Sequence, residues 1–96
     1  MRPIKNIPFT NFRNIQFSKL LKTEGRLREF NFRRSNSSGK ILFFVDVTDD
    51  RSNRIFFQME KDNDLWKIQP QLLPDWIVKN EEKFHEVIEE ELKDAS

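Results

Sequence analysis

Three clusters of turn-forming residues break the middle of this chain into short β-prone runs, and their spacing constrains the fold more than any other feature. They are Ser35-Asn36-Ser37-Ser38-Gly39, Asp49-Asp50-Arg51-Ser52-Asn53 and Lys61-Asp62-Asn63-Asp64. Gly, Asn, Asp and Ser favour turns because they reach left-handed backbone angles or hydrogen-bond their own main chain. Four runs with strand character flank these clusters, at 26–34, 40–48, 54–60 and 65–69. Connections this short force antiparallel neighbours. The chain is therefore expected to build a four-stranded antiparallel β-meander over 26–69.

After Pro70 the period changes. Pro74-Asp75-Trp76-Ile77 suits a first helical turn, because proline is preorganised for that position. Asn80 is placed to cap a longer helix whose first turn holds Glu81 and Glu82, where the dipole favours anions. Phe84, Val87, Ile88 and Leu92 then form one apolar stripe, with Glu82, Glu86, Glu89 and Glu90 opposite. Residues 1–25 follow neither period. Ser18 is placed to cap a short helix running to Glu24 and closed by Gly25. The expectation is a single α+β domain over 1–96. It comprises an N-terminal segment (1–25), the sheet (26–69) and a helical region (74–93) packed on one sheet face.

The turns also propose a register. Setting Arg34 against Lys40 brings Phe32 beside Leu42, Phe30 beside Phe44 and Arg28 beside Asp46, an arrangement of favourable cross-strand pairs. Thr48 against Arg54 brings Val45 beside Phe57, and Glu60 against Leu65 brings Met59 beside Trp66. One face then carries Ile41, Phe43, Val45, Val47, Ile55, Phe57, Met59, Trp66 and Ile68, for the helix to cover. The other carries Arg28, Phe30, Phe32, Arg34, Lys40, Leu42, Phe44, Arg54 and Phe56. A single helix covers only one face. The second, basic and Phe-rich, is the candidate binding face.

Three occupants compete for it: the N-terminal segment with Phe9, Phe12 and Phe17, a protein partner or second copy, and single-stranded nucleic acid. Apolar patches mark interaction sites. Rings interleaved with cations suit stacked bases and phosphates. The order β-β-β-β-α over 26–93 resembles the PUR and Whirly nucleic-acid-binding domains in topology alone, which implies a nucleic-acid partner; no motif of either family occurs. Charge is unevenly spread. Residues 1–54 carry net +7 and residues 55–96 net −6, so that an Arg-bearing sheet beside an acidic helix is expected.

Signals for chemistry are sparse. The chain holds no Cys, one His and two Gly, which removes thiolate sites, disulfides and Gly-rich phosphate loops. His85, at the flank of the helical stripe, reads as a half-exposed surface position. Asp62-Asn63-Asp64 resembles the start of a calcium loop but lacks its Gly and distal Glu. No apolar run approaches the roughly 20 residues of a membrane span, and Met1–Asn6 lacks a signal-peptide h-region. The expectation is a cytoplasmic, non-catalytic interaction module. It needs no cofactor or metal and associates with a protein or with itself, single-stranded nucleic acid being the alternative.

Overall fold

The computed structural model describes residues 15–37 and 39–95. Five strands lie in one antiparallel sheet in sequence order: β1 (Gln16–Thr23), β2 (Arg26–Ser37), β3 (Lys40–Thr48), β4 (Arg54–Asp62) and β5 (Leu65–Ile68). A short α1 (Asp75–Val78) and a long α2 (Glu81–Ala95) follow. The sheet curls into a half-barrel, and the C-terminal helix packs against it.

The sheet thus has five strands rather than four. Residues 18–24, expected as a helix, form most of β1. A tight hairpin decides this. Thr23 pairs with Arg26, and Glu24 (φ 51°) and Gly25 (φ 76°) between them both adopt left-handed angles. Two consecutive positive φ values match the twist of the flanking strands. Gly25 therefore closes a hairpin instead of ending a helix. Of the N-terminal aromatics, Phe17 lies in β1 and stacks on Phe32 with centroids 4.8 Å apart. Phe9 and Phe12 lie outside the described residues.

The β3–β4 register is the expected one: Thr48 faces Arg54 and Val45 faces Phe57. The β4–β5 register slides by two residues, since Asp62, not Glu60, faces Leu65 across a turn made by Asn63 and Asp64 at φ 53° and 70°. An even slide leaves every side chain on its expected face. The β2–β3 register differs by three. Lys40 faces Ser37 instead of Arg34, leaving two residues between the strands, the second being Gly39 at φ 79°. An odd difference inverts the faces of β2.

Burial explains why Ser35, Asn36 and Ser37 join a strand. With this register Phe30 and Phe32 become fully buried. Removing two phenyl rings from water is worth roughly 1.5–3 kcal/mol each. Strand propensities span only about 1 kcal/mol, so the local preference for a turn loses.

The core lies between the sheet and the helices. Phe84 of α2 stands among Phe30 (5.0 Å between centroids), Phe57 (5.6 Å) and Phe32 (6.3 Å). Val87 and Ile88 are buried beside it, with Leu92 half-buried, as the helical stripe predicts. Phe43 and Trp66 meet edge to face at 5.1 Å. At the helical junction the Asn80 carbonyl accepts from the Phe84 N–H at 3.0 Å, opening α2. Its side-chain amide donates back to the Trp76 carbonyl at 2.7 Å, tying α2 to α1.

Two neighbouring phenylalanines on β4 test the faces. Phe57→Ala should cost about 3–5 kcal/mol by leaving a core cavity, whereas Phe56→Ala, on an exposed ring, should stay within about 0.5 kcal/mol. Urea unfolding of both variants measures the difference.

Candidate interaction surfaces

The residues expected on one basic, Phe-rich face divide between two. Arg28, Phe30, Phe32 and Arg34 share the helix-facing side with Phe43 and Val45. Lys40, Phe44, Arg54 and Phe56 lie on the outer side. The inverted register of β2 separates them.

Arg28 is buried and works as a structural cation. Its Nε donates to Thr23 Oγ1 at 2.8 Å, a terminal nitrogen meets Asp50 Oδ1 at 3.0 Å, and the guanidinium lies 4.1 Å from the centre of the Trp76 ring. One side chain thus links the β1–β2 hairpin, the β3–β4 turn and α1. Arg34 is half-buried opposite Phe43.

On the outer side the named cations are engaged. Lys40 pairs with Glu60 at 2.9 Å and Arg54 with Asp46 at 3.2 Å. A polar rung crosses four strands there: Ser18 donates to Asn31 (2.6 Å), Asn31 donates to Asp46 (2.9 Å) and Arg54 donates to Asp46. Beside it a groove of about 240 Å³ lies between Phe44 and Phe56, flanked by Arg33, Gln16, Gln58 and Gln71. The Arg33 guanidinium sits 5.6 Å from the Phe44 ring centre. Exposed apolar side chains complete this face: Leu20 (62% exposed), Leu27 (66%), Phe56 (61%) and Leu65 (46%).

The two sheet edges are treated differently. At β5, the outward N–H groups are taken by side chains of α2. The Ile68 N–H donates to Glu81 Oε2 at 2.7 Å, the Trp66 N–H donates to His85 Nδ1 at 3.0 Å, and the Trp66 indole donates to Glu89 Oε2 at 2.9 Å. Glu81, His85 and Glu89 are spaced by four residues, an advance of about 6.0 Å per step along a helix. Two residues of strand advance about 6.6–6.8 Å. The helix therefore supplies acceptors at nearly the strand's own repeat and closes the edge as another strand would. His85 is half-exposed, as the sequence suggests, but it also accepts a strand N–H, a role that the sequence does not assign it. A stripe at i, i+4, i+8 beside the apolar one was the available signal, though nothing in it names the strand it would meet.

At β1 no described element lies alongside. The Arg34 N–H donates to the Ile15 carbonyl at 2.9 Å, so odd-numbered residues of this strand bond to β2. Alternation then turns the N–H groups of Gln16, Ser18, Leu20 and Lys22 outward.

Among the described residues, no group of three or more His, Cys, Asp or Glu side chains is placed to hold a metal ion, and no helix is long and apolar enough to cross a membrane. Asp62 and Asp64 belong to the β4–β5 hairpin, where Asp64 serves the backbone turn. No known family model, curated protein or solved structure matches the chain.

Three carboxyl groups are held below their ordinary range. Asp49 accepts backbone N–H groups of Asn53 and Arg51. Glu60 is bound by Lys40 and Gln69. At Glu89 partial burial opposes ionisation, but the Trp66 indole and Lys61 at 3.2 Å together outweigh it. A carboxyl whose folded pKa is depressed stabilises above its unfolded value and loses that contribution as pH falls through the folded one. Thermal stability should accordingly fall below about pH 4.3. In melts followed by circular dichroism, Glu89→Gln should melt lower than the parent at neutral pH. The gap should close by about pH 2, where the parent's carboxyl is protonated as well.

Proposed function

We propose that this chain is a non-catalytic interaction module that takes an extended protein strand on the β1 edge, with a second copy of the chain as partner. The observation that supports it is the unequal treatment of the two edges. β5 is closed by α2, whereas β1, eight residues long, turns the N–H groups of Gln16, Ser18, Leu20 and Lys22 outward, with the exposed Leu20 near its centre. Adding a strand to a bare edge satisfies main-chain groups and gives affinity through backbone hydrogen bonds. Antiparallel pairing of two β1 strands about Leu20 sets Lys22 opposite Ser18 and Lys19 opposite Leu21, so like charges do not face each other. Lys19 and Lys22 then select this register by opposing others.

Light scattering over a wide concentration range, with amide exchange at Ser18, Leu20 and Lys22, tests the reading. The expected result is a dimer in which these amides become protected. Leu20→Pro should leave the fold intact, because this N–H bonds to no neighbour among the described residues and proline is tolerated at such edge positions. It should abolish the dimer. A constant monomeric mass with fast exchange at all three amides would remove the second copy as partner.

One observation favours a second reading, single-stranded nucleic acid on the outer groove: the exposed Phe56 ring stands near Phe44, whose face carries Arg33. A stacked base contributes roughly 1–3 kcal/mol. A labelled oligonucleotide should then bind with steep salt dependence, and Phe56→Ala should weaken it about tenfold, the equivalent of 1.4 kcal/mol. Failure to bind at low salt ends this reading.

A further inference from the structure

The contact between α2 and β5 has a property that an ordinary strand pair lacks: its central acceptor titrates. The Trp66 N–H donates to His85 Nδ1, so that nitrogen must carry a lone pair and the ring proton sits on Nε2. We propose that His85 is a proton-sensitive latch, which closes the centre of the β5 edge while neutral and releases it when protonated.

Protonation at Nδ1 replaces the acceptor with an N–H that faces the Trp66 N–H. Two donors cannot share the position, so the ring must turn away. Its surroundings give it somewhere to go. The charged groups that line the surface with it are Glu81, Glu82, Glu86, Glu89, Glu90, Lys93 and Asp94 of its own helix, Lys61 of β4 and Lys67 of β5. Six carboxylates against three ammonium groups provide partners for an imidazolium that has left the strand. Imidazoles gain their proton between about pH 8 and pH 5, whereas the Ile68 N–H is held by a carboxyl oxygen of Glu81 and not by an imidazole. The release is therefore confined to the Trp66 rung. It frees a backbone donor on an edge that is closed at neutral pH, and such donors are templates for strand pairing.

Amide hydrogen exchange read by NMR on the intact chain tests the latch, with rates expressed as protection factors so that the intrinsic pH dependence is divided out. From about pH 7.5 to 5.5, across the imidazole range, protection at Trp66 should fall about tenfold. Protection at Ile68, and at Val45 in the middle of the sheet, should hold. His85→Gln offers a carboxamide oxygen that accepts without titrating, and in it protection at Trp66 should be flat. An unchanged Trp66 in the parent chain, or an equal fall in the variant, overturns the proposal. The parent alone also decides it through its imidazole nitrogen shifts: a proton found on Nδ1 at neutral pH would mean that the latch does not exist.

Discussion

Phe84 is the side chain on which the architecture depends. Rings from β2 and β4 converge on it, with Phe30, Phe32 and Phe57 all within 6.3 Å between centroids. Aromatic pairs at such separations add about 0.5–1.5 kcal/mol each beyond burial. A fifteen-residue helix presents one apolar stripe, too narrow to cover five flat strands side by side. Curling the sheet into a half-barrel brings separated strands to the same stripe. Curvature is thus the way that one helix serves a wide sheet, and Arg28 fixes the far corner through Thr23, Asp50 and Trp76.

The same helix also closes an edge, and both tasks follow from its periodicity. Phe84 and Ile88 point into the core, while Glu81, His85 and Glu89 follow a neighbouring stripe that runs along β5. Buried or half-buried backbone donors left without partners are costly. β5 is only four residues long, and its bonds to one neighbour alone would hold it weakly. The side-chain acceptors of α2 give it a second neighbour. Glu81 and Glu89, which the helical wheel assigns to dipole complementarity and solvent, spend their charge on main-chain and indole donors instead.

What was legible in the sequence follows the strength of the local signals. The β3–β4 pairing was readable because Asp49-Asp50-Arg51-Ser52-Asn53 fills its whole loop, with the Asp49 carboxylate capping the turn from inside. The apolar stripe of α2 and the apolar face of β3 and β4 were readable for the same reason: one period dominates each. The Ser-rich cluster after Arg34 misled because turn composition does not say how many of its residues lie in the turn. Pairing runs on through Ser37, and the odd difference moved Phe30 and Phe32 from the expected binding face to the core. β1 was hidden because Lys19 interrupts its inner face between Phe17 and Leu21, which blurs the alternation that identifies a half-buried strand. The edge contacts of α2 were beyond reach, since they join residues whose proximity depends on the completed half-barrel.

The opposite charges of the two halves have a different resolution from a simple sheet-to-helix match. Arg26 and Arg28 meet Asp50, Lys40 meets Glu60 and Arg54 meets Asp46, all among the strands and their turns. Lys61 and Glu89 make an ion pair between sheet and helix. The outward carboxylates of α2, Glu82, Glu86 and Glu90, stay exposed. The exposed carboxylates of α2 therefore lie together along the helix, while on the outer sheet Lys40 and Arg54 are already paired. The main chain of β1, beside the exposed Leu20 and Leu27, carries no net charge. The edge pairing proposed for β1 would draw on these backbone groups alone, and so would leave intact the ion pairs that hold the sheet together.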